Sequence, residues 1–201
     1  MKTRPRAGRL TPDARREDLL QHALAVFADR GLSATRHSDL AARAGVSLPT
    51  TLHYFPSREA LRQRVLAEVS RFLLDEVLAV AAARHALATE AIVAVLLGFD
   101  DAIDTHPHHV RIWLEWSVAV RGDLWPSYLG FYAGALKGIG LLLARGKRQG
   151  CIARAVDSKD AARVIVSLAH MIVQMKFAGS SRAQIAHTVR SLVLGYLAQD
   201  P

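Results

Sequence analysis

The chain has a single cysteine, Cys151, so no disulfide can close within it, and a reducing compartment is compatible with that usage. Nothing around that residue looks like an activating base, and it reads as an inert thiol rather than a nucleophile. Alternating β-branched runs are absent, which argues against sheets. No uninterrupted apolar run reaches the ~18 residues that a membrane span needs. The basic N-terminus is not followed by an apolar segment, so no secretory signal is expected. Gly/Ser-rich linkers, internal repeats and low-complexity tracts are missing. So are a nucleophile elbow, a phosphate-cradling Gly loop and a CxxC pair, and the chain is not expected to be an enzyme.

What is present is aliphatic. Hydrophobic residues fill 51% of the 201 positions, with Ala, Leu and Val prominent, while aromatics are 6%. This length can bury a sizeable core, and the composition favours helices. Lys and Arg number 26 against 18 Asp and Glu, a net charge of +8. The excess is uneven: residues 1–64 hold 12 basic and 6 acidic side chains, the remaining 137 hold 14 and 12. Basicity concentrated in one part of the chain points to a polyanion as partner.

The same part carries the most specific pattern, HSDLAARAGVSLPTTLHYFPSREAL over 37–61. It reads as a short helix, a sharp turn, a second short helix and the start of a third. Leu40, Ala41, Ala44 and Val46 supply a small apolar face. Gly45 stands where a tight turn between helices needs positive φ. Ser47 caps the second helix, residues 48–55, and Pro49 fits its first turn, where backbone donors are unbonded. Leu52 and Phe55 are its expected buried residues; Thr50, Thr51, His53 and Tyr54 are its polar ones. Pro56 stops it, and Ser57 caps the helix that begins at Arg58. The spacing predicts a helix-turn-helix with a hydroxyl-rich helix for the major groove. GVSLPTTLHYFPSREAL resembles the recognition segment of the TetR family of bacterial transcriptional regulators, whose pattern runs small–Val–Ser, hydroxyl residues, Tyr-Phe, Ser-Arg/Lys-Glu and Leu.

Taken in order, the chain reads as an all-α fold of about nine helices. Residues 1–10, with Arg4, Arg6 and Arg9, form a basic disordered arm able to follow a minor groove. Thr11 and Pro12 open a helix carrying Leu20, Ala23, Leu24 and Phe27, closed by Gly31. Thr35 or Ser38 is the expected cap of the next helix. A long helix over about 58–84 is the natural mechanical link to the rest, followed by helices over about 89–105 and 107–120. Then come a long helix ending before Gly150, one capped by Ser158 and ending at Gly179, and one opened by a Ser181–Gln184 capping box. The expected domains are the arm, 1–10; a three-helix helix-turn-helix DNA-binding domain, 11–57; and a larger helical effector-binding and dimerisation domain, 58–201.

Within the family, VRIWLEWSVAVRGDLWP is similar to the corresponding run of the LuxR/HapR-type quorum-sensing master regulators, through Val110, Trp113, Glu115, Trp116, Ser117, Arg121, Trp125 and Pro126. RPR…RLTP and His-Ser-Asp-Leu-Ala agree with that branch. His53 replaces its usual Asn, and Leu48-Pro49 replace smaller residues, so operator preference does not carry over. The resemblance implies a homodimer through the last two helices, on a palindromic operator of double-stranded DNA, in the bacterial cytoplasm at the nucleoid. Ala169, Ala186 and Gly195 permit close approach of those helices. The expected DNA-binding residues are Arg4, Arg6, Arg9, His37, Ser47, Thr50, Thr51, His53, Tyr54 and Arg58. A pocket for a small apolar or cationic effector is expected in the larger half, with Phe99, Trp113, Trp116, Tyr128, Phe131, Met171, Met175 and Phe177 as candidate lining. Gly130, Gly134, Gly138 and Gly140 serve either close helix packing or room for a ligand. Asp100, Asp101, Asp104, His106, His108 and His109 crowd one helix junction without metal-site spacing, and neither metal nor cofactor is expected. A non-specific nucleoid-type DNA binder and a metal-dependent enzyme are the alternatives.

Overall fold

The computed structural model describes residues 11–120 and 122–197, and among these all regular structure is helical. Arg4, Arg6 and Arg9, with the expected arm, lie outside the described residues. By its contacts the chain divides into residues 1–67 and 68–201. That division falls ten residues beyond the boundary expected at 57, because the start of the fourth helix, which buries Leu61, Val65 and Leu66, counts with the N-terminal unit.

The N-terminal unit holds α1 (Pro12–Arg30), α2 (His37–Ala44), α3 (Leu48–Tyr54) and the beginning of α4 (Arg58–Arg71). Thr11 Oγ1 accepts from the Ala14 N–H at 3.2 Å, and Pro12 takes the first helical position. The inward stripe of α1, with Leu20, Ala23, Leu24 and Phe27, is fully buried, as are Leu40 of α2 and Leu61 of α4. Neither Thr35 nor Ser38 caps α2. Thr35 is buried and donates its hydroxyl to the Gly31 carbonyl at 2.9 Å. Arg36, which has no side-chain acceptor, takes the cap position, and Asp39 reaches back to accept from its N–H at 2.9 Å.

In the C-terminal unit α4 continues without a break into a π-helical stretch, Phe72–Ala79, and then α5 (Val80–Arg84). The helix expected over 58–84 is therefore one rod of mixed winding. It is followed by α6 (Ala88–Thr105), α7 (Pro107–Ser117), α8 (Trp125–Gln149), α9 (Ser158–Phe177) and α10 (Arg182–Leu197). With Arg58–Arg84 counted as one rod, the described residues hold nine helices. α7 stops short of residue 120. Asp157 caps α9 in place of Ser158, its Oδ1 accepting from Lys159 and Asp160 N–H groups at 2.8 and 2.9 Å. Ser181 and Gln184 form the reciprocal box, at 2.8 and 3.3 Å. Although no uninterrupted apolar run predicts a span, α8 is long and apolar enough to cross a membrane. One side of it is occupied within the unit, where Tyr128, Phe131, Ala135, Ile139, Leu142 and Leu143 are buried, while Leu129 and Leu141 are exposed.

The glycines of α8 separate into two kinds. A Cβ on Gly134 would stand 2.9 Å from Leu74 Cδ1, and one on Gly138 would stand 2.7 Å from Leu78 Cδ2, so these two serve close packing. A Cβ on Gly130 or Gly140 would meet no described atom beyond its own helix turn within 4 Å. Gly146 is the tightest, with Ile152 Cγ1 at 2.6 Å and Ala88 Cβ at 3.1 Å from an added Cβ. We expect Gly146→Ala to destabilise this unit by ~1–3 kcal/mol through overpacking, outweighing alanine's helix advantage of about 1 kcal/mol. Gly130→Ala should stabilise it by up to about 1 kcal/mol. Urea unfolding followed by tryptophan fluorescence reads this unit alone, since all three tryptophans lie in it. Shifts of the same sign in both variants would contradict the packing described.

Candidate nucleic-acid interface

The turn before α3 is set by Gly45, at φ 65° and ψ 32°, a left-handed conformation that ends α2. Ser47 then caps α3: its Oγ accepts from the Thr50 N–H at 3.3 Å and lies 2.8 Å from Thr50 Oγ1. Phe55 is buried at the other end. Thr51, one turn before it, is 0% exposed and donates its hydroxyl to the Leu48 carbonyl at 2.8 Å. Thr51 thus departs from its expected place at a base edge: it is a packing residue whose hydrogen bond is already made. Leu52 departs in the opposite sense. Expected inside, it is 41% exposed, and Leu48 is 44% exposed. The outward side of α3 consists of Leu48, Pro49, Leu52 and His53.

Ser47, His53 and Arg58 are exposed, and Thr50 and Tyr54 half-buried. The Tyr54 ring stands edge-on to His53 with centroids 5.1 Å apart. His37 is half-buried, and its Nε2–H donates to the Phe55 carbonyl at 2.8 Å, which braces the end of α3. The Arg58 guanidinium donates to the Ser33 carbonyl and ties the start of α4 to the α1–α2 connection. Ser57 Oγ accepts from the Ala60 N–H at 3.0 Å, capping α4 as the sequence predicts.

The C-terminal unit contains an apolar cavity of about 70 Å³ that is partly open to the surface. Four expected residues line it, Phe99, Trp113, Tyr128 and Phe131. Four do not. Trp116 is buried nearby, its indole N–H donated to the Leu124 carbonyl at 3.1 Å. Met171 and Met175 are half-buried elsewhere on α9, and Phe177 is 69% exposed. Reasoning from aromatic and Met stripes missed the aliphatic wall, above all Leu73, Leu74, Val77 and Leu78 of the π-helical stretch.

Residues 19–65 match the family model for bacterial regulatory proteins of the tetR family. Over 130 residues the chain is 37% identical to the HTH-type transcriptional regulator LuxR of Vibrio harveyi, covering 63% of this chain and 60% of that protein. Over 57 residues it is 44% identical to the HTH-type transcriptional repressor KstR2 of Mycolicibacterium smegmatis, 28% of each. The chain thus spans less than two thirds of the length of these relatives. A TetR-like transcriptional regulator from Rhodococcus sp. RHA1 shares the fold, with a TM-score of 0.75 at 22% identity over 96% of this chain and 100% of that one.

At the α6–α7 junction Asp100 and His109 are buried, while Asp101 and Asp104 form ion pairs nearer the surface. Lys176 Nζ lies 3.3 Å from Asp100 and 2.6 Å from Asp104, and Arg182 pairs with Asp101. His109 is 7% exposed, with its ring centroid 4.6 Å from that of Phe72. Burial, reinforced by His106, pushes His109 down to about 4. The folded protein therefore holds His109 neutral where the unfolded chain, titrating near ~6.5, binds a proton. Stability from this group is complete above pH ~6.5 and is lost towards about pH 4. The loss is at most ~1.4 kcal/mol per pH unit. We expect the urea midpoint of the tryptophan-monitored transition to fall between about pH 7 and about pH 5, and less so in His109→Gln. Equal falls would show that His109 is not what titrates.

Proposed function

We propose that the chain belongs to the TetR family of bacterial regulatory proteins, whose model residues 19–65 match, and that it is a sequence-specific DNA-binding transcriptional regulator. The observation that carries this is the outward face of α3, held on a capped turn in the part of the chain where basic residues concentrate. His53 and Thr50 face base edges or the adjoining sugar-phosphate, and Ser47, Tyr54 and Arg58 hold phosphates. The protein acts in the bacterial cytoplasm as a homodimer, and its two reading helices engage half-sites about one DNA turn apart, ~34–36 Å. The apolar side chains left exposed on the last two helices support that pairing: Val164, Leu192 and Leu194 at 44% and Phe177 at 69%. The similarity to the Vibrio regulator supports the quorum-sensing branch. The cavity supports an effector that is apolar rather than cationic, because no carboxylate is among the described residues that line it. At about 70 Å³ it is smaller than the ~150 Å³ that accommodates benzene, so a larger guest needs its walls to move.

Selection of bound fragments from random or genomic DNA tests the central claim. Recovery of a palindrome is expected; flat affinity across unrelated duplexes would point to a non-specific binder. Tyr54→Phe should weaken every duplex alike, by about tenfold if its hydroxyl meets a phosphate. His53→Ala should instead change preference at one base step. No effect of either in gel shifts removes the interface assignment. Sedimentation at micromolar concentration should give a dimer, and a monomer would exclude the two-fold operator.

A further inference from the structure

Two exposed leucines on α3 have no part in the contacts assigned above. Leu48 and Leu52 are four residues apart, so they stand side by side on the helix surface, 44% and 41% exposed. Single surface leucines need no explanation. A pair on the helix that faces the DNA does, since Thr51 and Phe55 already fill the inner side and leave these two no core to enter.

An aliphatic side chain has nothing to offer a phosphate, and it cannot read the donor and acceptor pattern of a base edge. The major groove displays one group that it can recognise, the C5 methyl of thymine. The polar alternatives on the helix are few. Ser47 Oγ and Thr50 Oγ1 lie within hydrogen-bond distance of each other, which occupies part of their capacity, and His53 is the one outward side chain of α3 with ring nitrogens. Pro49, between the leucines, fixes its own φ and stiffens the face.

We propose that Leu48 and Leu52 form an apolar ridge that reads thymine methyl groups in the major groove and so sets operator sequence preference. The proposal rests on the DNA-binding reading of α3. Basic side chains, 12 against 6 acidic ones in residues 1–64, supply attraction that every sequence shares. The ridge adds discrimination between sequences, because its gain exists only where a methyl group is present.

The test uses the full chain and duplexes selected from a random-sequence library. Each thymine of a selected duplex is replaced in turn by deoxyuridine, which keeps the base pair and lacks only the methyl. At one thymine or more in each half-site, affinity should fall about fourfold, the factor for burying one methyl-sized group. Leu48→Ala or Leu52→Ala should abolish the difference between the thymine and uracil duplexes at the position that residue reads. Both side chains are exposed, so the variants should fold, which circular dichroism checks. A tightly bound duplex at which no thymine matters would overturn the proposal and leave the leucines to a protein partner. Thymine sensitivity unchanged in both variants would overturn it too, since another residue would then be reading the methyl. If no duplex is enriched at all, the DNA-binding reading itself fails, and the ridge falls with it.

Discussion

A helix of seven residues has one rotational setting to choose, and in α3 the choice is made by Thr51 and Phe55. Burying the Phe55 ring is worth roughly 2 kcal/mol. Burying Thr51 costs no hydrogen bond, because the Leu48 carbonyl accepts its hydroxyl within the helix. The ends are held separately: Ser47 caps the first turn, and His37 donates to the Phe55 carbonyl at the last. With both ends and the inner side fixed, the backbone that carries the outward residues is set before any partner arrives, which lowers the ordering cost of binding.

The features legible in the sequence are those decided within a few residues. Ser47, Ser57, Gly45, Gly150 and the Ser181–Gln184 pair all sit where the sequence places them, since a cap answers to its own first turn and a left-handed residue to its own backbone. The residues that came out differently answer to something farther away. Residue type alone puts Leu52 inside and Thr51 outside. The rotation of α3 reverses both, and only a helical wheel anchored on Phe55 reveals it. Arg36 is an unpromising cap by its side chain, and Asp39 three residues on supplies the missing acceptor. The cavity followed the same rule. Aromatic and Met residues mark where a pocket can be, but which of them line it depends on how α9 is turned, and Met171, Met175 and Phe177 face elsewhere.

The π-helical stretch is the feature with the least local cause. FLLDEVLA contains no Pro or Gly, and nothing in it forecasts a change of winding. It packs against α8. Leu74 and Leu78 are four residues apart and sit over Gly134 and Gly138, also four apart, so two side chains fit two gaps. A π-helix advances less per residue than an α-helix, because its bonds close over five residues instead of four. Leu73, Leu74, Val77 and Leu78 share one side of it and wall the cavity together.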